Sequence, residues 1–180
     1  MIRAVGPCGL SASGDPYRSL VESIVYQQLA GSAATAILGR LRARFGGRIP
    51  RPELLVAATD DELRSAGLSR QKIAAIRAVA AAFADKTLSN RRLHRMDDQS
   101  VVDAVTQVRG IGEWTAHMLL MFSLGRPDVL PTGDYGIRKG AQILYGLDDL
   151  PKPAELASLG ECWRPYRSIG AWYLWAVVDQ

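Results

Sequence analysis

The stretch Val108-Arg109-Gly110-Ile111-Gly112-Glu113-Trp114-Thr115-Ala116 decides how this chain is read. Before it, Val101, Val105 and Val108 recur at helical spacing; after it, Trp114, Met118, Met121 and Phe122 do the same. Between the two apolar helices stand Gly110 and Gly112, one residue apart. Glycine reaches backbone angles closed to other residues, so the turn can be very tight. The second helix then begins with free N–H groups, and such an end attracts a phosphate. A plain turn between two core helices fits the same residues, and Gly-x-Gly alone does not separate the two readings.

Helical signals continue on both sides. Asp15-Pro16 is a cap and first-turn pair, followed by Leu20, Ile24 and the adjacent Gln27 and Gln28. Ser32 is a cap for a helix running to about Phe45, and Gly46-Gly47 stop it. Pro52 opens a short helix through Ala58; Thr59-Asp60-Asp61-Glu62 is a capping box, and Gly67 ends its helix. Ser69 caps a helix with Ile73, Ile76, Ala80 and Phe83 on one face. Gly125 to Gly133 is a loop with Pro127 and Pro131. Helices are predicted at about Asp134–Tyr145, Pro153–Trp163 and Pro165–Asp179. With no alternating strand and no repeat, the class is all-α, of roughly ten short helices.

Composition bounds the possibilities. The 180 residues are 48% hydrophobic and 22% charged, which excludes a disordered or fibrous chain. One domain, or two small lobes sharing a core, fits the length. The net charge is +4, carried by 18 arginines and only four lysines, Lys72, Lys86, Lys139 and Lys152. Arginine suits forked contacts to phosphate and is a poor amine nucleophile. Cys8 and Cys162 are the two cysteines, too few for a four-thiolate cluster or an all-cysteine zinc site. His94 and His117 show no ligand spacing. No apolar run nears the ~20 residues of a membrane span, so a soluble, cytoplasmic protein in a reducing compartment is expected.

Several residues have both a structural and a chemical reading. Asp134 opens a helix, where aspartate is a favoured cap. Gln27 and Gln28 end an apolar helix, and two amides there need partners or an exposed face. Trp114, Trp172, Trp175 and Tyr135 can pack a core or wall a pocket, where an indole face attracts a cationic ring. Arg91, Arg92, His94 and Arg95 form a basic cluster that suits a solvated face as well as DNA.

Five ordered blocks resemble the helix-hairpin-helix DNA glycosylases, from about Pro16 onward. They are Leu20 to Leu29, Gly67 to Lys72, the hairpin itself, Leu130-Pro131-Thr132-Gly133-Asp134-Tyr135-Gly136-Ile137-Arg138, and Trp163-Arg164-Pro165-Tyr166-Arg167-Ser168 with Trp172 and Trp175. The last resembles the final helix of the DNA-3-methyladenine glycosylase II group. The resemblance implies two helical lobes, residues 17–126 ending in the hairpin and residues 1–16 with 127–180, and an active-site cleft between them. It implies that Asp134, 22 residues beyond Gly112, assists release of the base. It places Trp114, Trp175, Tyr135 and Met118 at the base pocket. It assigns DNA contact to Gly110, Gly112, Thr115, Gln27, Gln28 and Leu29, with Gln28 in the wedge that fills the gap left by a flipped base and either Gln28 or Leu29 entering the helix. The carbonyls of Thr106, Val108 and Ile111 match those that hold a Na+ or K+, and no cofactor is required. Bifunctional relatives carry a Schiff-base lysine where this chain has Trp114, which implies a monofunctional enzyme of the alkyl-base branch, leaving an abasic site with an intact backbone. Lys139 remains an amine to be weighed. The expected partner is duplex DNA with a damaged base, bound by a monomer. Three alternatives stand beside this: a glycosylase for an oxidised or mismatched base, a non-catalytic DNA-binding module, and an unrelated helical interaction protein.

Overall fold

A computed structural model describes residues 2–29 and 31–178. The elements are α1 (Ile2–Val5), α2 (Pro16–Tyr26), α3 (Gly31–Arg44), α4 (Pro52–Ala57), α5 (Asp60–Ser65), α6 (Arg70–Ala84), α7 (Asn90–Arg95), α8 (Asp98–Thr106), α9 (Glu113–Phe122), α10 (Tyr135–Tyr145), α11 (Pro153–Gly160) and α12 (Arg167–Val178), with a 3-10 turn at Glu161–Trp163. Among the described residues there is no strand, and no helix is long and apolar enough to cross a membrane.

The local signals behave as their chemistry dictates. Asp15, Thr59, Ser69 and Asp134 each accept a backbone N–H three residues on, and Thr59 with Glu62 forms the reciprocal capping box. Ser32 does not cap α3; it sits inside the first turn. Helix α8 stops at Thr106, leaving Val108 in the turn. The helix predicted over Pro153–Trp163 finishes as the 3-10 turn. The last helix begins at Arg167 rather than Pro165, and its predicted end, Asp179, lies outside the described residues.

Packing divides the helices into two groups. Helix α2 lies against α3, α6, α7 and α9, while α4 and α5 lie on α6 and α8 lies on α9. The other group is α10 packed along α12, with α1 and α11 beside them. One buried cluster runs through both, including Leu20, Ile24, Ile76, Leu119 and Met121 on one side and Ile137, Ala141, Ala171 and Leu174 on the other. Each fully buried Leu or Ile contributes roughly 1.5–3 kcal/mol over an exposed one. The hairpin closes the first group and Asp134 opens the second, so the fold brings both to one boundary.

Candidate active site

The hairpin is held from behind and open in front. Ile111 N–H donates to the Val108 carbonyl at 3.0 Å, and Gly110 turns the chain at φ +89°. A Cβ on Gly110 would overlap the Ala75 Cβ of α6, so both angle and packing demand glycine there. Gly112 is different. Its backbone is ordinary extended chain at φ −101° and ψ 173°, and a Cβ there would meet nothing within 4 Å. It is the N-cap of α9, with no side chain capping the helix. The first N–H groups of α9 therefore face open space, ready for an external acceptor. Accordingly, Gly110→Ala is expected to lower stability by about 2 kcal/mol or more. Gly112→Ala should leave stability within about 0.5 kcal/mol while weakening duplex binding. Thermal melts and a binding titration on both variants check the pair.

Gln27 and Gln28, adjacent in sequence, part company in the structure. Gln27 Nε2 donates to the Gly110 carbonyl at 3.2 Å and to Thr115 Oγ1 at 3.4 Å, pinning the end of α2 to the hairpin. Thr115 is buried. Gln28 sits at φ +55°, a left-handed conformation that non-glycine residues seldom adopt, and is exposed beside Leu29. A hollow of about 320 Å³ next to them is lined by Gln71, Lys72 and Arg109 among others.

Asp134 is held by three hydrogen bonds at this boundary. Its Oδ1 accepts from Ile137 N–H at 2.8 Å and from Trp175 Nε1 at 2.9 Å; its Oδ2 accepts from Trp114 Nε1 at 2.6 Å. Three N–H donors fix the group in orientation, and hydrogen bonds to a charged acceptor contribute about 1.5–3 kcal/mol each. The indole of Trp175 is itself set by stacking on Phe122, centroids 5.8 Å apart and planes 28° off parallel. Two glycines of α10 let α12 approach. A Cβ on Gly140 would overlap the Leu174 carbonyl, and one on Gly136 would lie 2.9 Å from Trp175 Cδ1.

The loop that delivers Asp134 is clamped to the start of α12. Asp128 accepts from Arg167 Nε at 2.7 Å and from Arg164 Nη1 at 2.9 Å. The hydrogen bond from Arg167 is the largest cause holding the Asp128 carboxyl below its ordinary range. The buried Ser168 hydroxyl donates to the Arg126 carbonyl at 2.7 Å and accepts from Val129 N–H at 2.9 Å.

Between hairpin and loop lies a cleft of about 360 Å³, lined by Glu113, Trp114, His117, Pro131, Thr132, Gly133, Asp134 and Pro153. That is the small end of ligand-sized cavities. Its charged lining is acidic, Glu113 and Asp134, with neither Lys nor Arg. Burial is the main influence on His117 and holds its ring below the ordinary imidazole value, against the opposing pull of Glu113.

Of the residues read from the sequence, the structure brings Asp134, Trp114 and Trp175 into direct contact. Trp175 meets the carboxylate without lining the cleft. Tyr135 is exposed and Met118 is packed in the core; neither lines the cleft. Lys139 donates to Gln142 Oε1 at 2.9 Å along α10 and is not at the cleft. Glu113 was not singled out and His117 was read only as lacking ligand spacing, although His117 follows Trp114 by three residues and so shares its helix face. The basic cluster forms α7, where Arg92 donates to the Thr87 carbonyl at 2.9 Å. At the hairpin, the Val108 carbonyl is engaged by Ile111 N–H, whereas no described backbone hydrogen bond of the loop ends on the carbonyls of Thr106 or Ile111. Among the described residues no group of three or more His, Cys, Asp or Glu is placed to hold a metal.

Comparison with known proteins agrees with this geometry. The family described as HhH-GPD superfamily base excision DNA repair protein matches residues 21–165. DNA-3-methyladenine glycosylase 1 of Schizosaccharomyces pombe is 34% identical over 163 residues, covering 89% of this chain and 72% of the relative. The solved S. pombe 3-methyladenine DNA glycosylase in complex with abasic DNA superposes with a TM-score of 0.91 at 32% identity, covering 99% of this chain and 89% of that one. A DNA-3-methyladenine glycosidase from Bacillus halodurans superposes with a TM-score of 0.88 at 41% identity, covering 97% and 80%. With the family match spanning most of the chain and these relatives alongside it, the chain belongs to the HhH-GPD superfamily of base excision DNA repair proteins.

Proposed function

We propose that this protein is a monofunctional DNA glycosylase that removes cationic, alkylated purines of the 3-methyladenine type from duplex DNA. The observation that carries the reading is Asp134, fixed by three N–H donors at the edge of an acidic, indole-walled cleft beside an uncapped helix end. The names of the relatives support the same substrate class.

The steps follow from the residues. The open N–H groups of α9 at Gly112 take a backbone phosphate. The left-handed turn at Gln28 presents Gln28 and Leu29 to the duplex, where they fill the space of an extruded base and offset its unstacking, a few kcal/mol. The extruded base enters the cleft against the indole of Trp114, which attracts a cationic ring. As the glycosidic bond stretches, positive charge grows on the sugar, and the Asp134 carboxylate stabilises it. Water completes the hydrolysis and leaves an abasic site. An alkylated purine leaves readily because it is already cationic, so no strong general acid is needed. A Na+ or K+ held by the carbonyls of Thr106, Val108 and Ile111 would stiffen the hairpin, and no chemical step runs through it. One chain holds every group named, which supports a monomer, and the free thiols of Cys8 and Cys162 suit a reducing compartment that contains the chromosome.

The test is release of free bases from methylated duplex DNA, identified by chromatography. Release of 3-methyladenine with an unbroken backbone is the expected result. Salt-dependent duplex binding without release of any base overturns the enzymatic reading and leaves a binding module.

A further inference from the structure

His117 stands on the wall of two cavities. On one side is the cleft with Trp114 and Asp134; on the other is a hollow of about 310 Å³ lined by Asp98, Asp128 and Arg167 among others. One turn back on the same helix, Glu113 Oε1 lies 3.8 Å from His117 Nε2. The groups around the ring are therefore Glu113 from its own helix, Asp134 from the cleft loop, Asp98 from α8, Asp128 from the loop and Arg167 from α12. Arg167 is spoken for by Asp128. His117 is thus the cleft's one side chain that can gain a positive charge near neutral pH.

Resting on the glycosylase reading above, we propose that His117 is a specificity-determining residue: a neutral imidazole keeps the cleft selective for cationic bases, and a protonated one turns them away. With His117 neutral the cleft presents Glu113 and Asp134 alone, and a cationic base is drawn in. With His117 charged, part of that attraction is cancelled, and two cations share one small space. Proton and cationic base then compete for the cleft, and each weakens the other by the same factor. The direction in pH follows. Burial favours the neutral ring, so selectivity holds at neutral pH and is lost as pH falls below the ordinary imidazole range.

The experiment measures single-turnover release of 7-methylguanine from duplex DNA by wild type, His117→Gln and His117→Lys at about pH 7.5 and pH 5. Glutamine keeps the size and polarity of the ring without its titration. The ratio of wild-type to His117→Gln release should fall by about tenfold from the higher pH to the lower one. His117→Lys should be slow at both. Binding to a duplex with an abasic site, which puts no base in the cleft, should be equal for wild type and His117→Gln at both pH values. This control separates the cleft from the DNA contacts and from folding. A constant ratio of wild type to His117→Gln across pH overturns the role of His117 while leaving the enzyme intact. Failure of wild type to release any base from any duplex overturns the glycosylase reading instead, and this inference falls with it.

Discussion

Asp134→Asn is expected to lower base release by about 10²–10³-fold or more while leaving folding and duplex binding nearly unchanged. Asparagine is as good a cap as aspartate, so its oxygen still takes Ile137 N–H and α10 keeps its start. What goes is the charge. The amide also turns a donor toward Trp114 Nε1, which in the wild type donates to Oδ2, so one contact becomes a clash of two N–H groups. The indole must turn away, while the turn at Gly110 and the bond from Ile111 N–H to the Val108 carbonyl do not involve it. Asp134→Ala loses the cap as well and should melt lower, by about 1 kcal/mol. Single-turnover release beside a binding titration and a thermal melt reads all three effects. Release within tenfold of wild type by Asp134→Asn would remove Asp134 from the chemistry.

Gly140→Ala should be among the most destabilising methyl additions in the chain, about 3 kcal/mol or more. Alanine is the better helix former by about 1 kcal/mol, so helix propensity alone predicts a gain. The structure predicts the opposite sign, because the added carbon overlaps the Leu174 carbonyl and backbone has nowhere to yield. Helix α12 must then back away from α10. Gly136→Ala meets a ring instead, with Trp175 Cδ1 at 2.9 Å and Asp134 Oδ1 at 3.2 Å. A side chain can shift, so the loss of stability is smaller and the loss of turnover larger, as Trp175 leaves Asp134. For a domain this size each kcal/mol is roughly 2–4 °C of Tm. A melting point for Gly140→Ala at or above wild type would show that the two helices are not locked in this way.

Much of this was legible in the chain. Asp15, Thr59, Ser69 and Asp134 announce helix starts because a short acceptor side chain before an apolar period has few other uses. Helix α7 was not read, since Asn90–Arg95 carries Leu93 as its one buried residue and so shows no period. Ser32 misled because serine is compatible with the first turn as well as with the cap. At the site, Asp134, Trp114 and Trp175 were singled out through the resemblance of their flanking blocks to the helix-hairpin-helix glycosylases; chain position alone reads Asp134 as a cap. Gln27 and Gln28 could not be told apart, because the left-handed angle at Gln28 that separates them is a property of the folded turn. Glu113, His117 and the Asp128 clamp were missed for a related reason. Their meaning lies in what faces them across a boundary, and no local pattern encodes that.

The bond from Trp175 to Asp134 spans 41 residues, and the indole comes from the last helix. During synthesis the hairpin is therefore complete well before the site is. A chain cut short by a premature stop in α12 lacks the second indole that orients Asp134. Translation order thus sets the sequence of assembly: the bond that completes the Asp134 site can form only after α12 has been made.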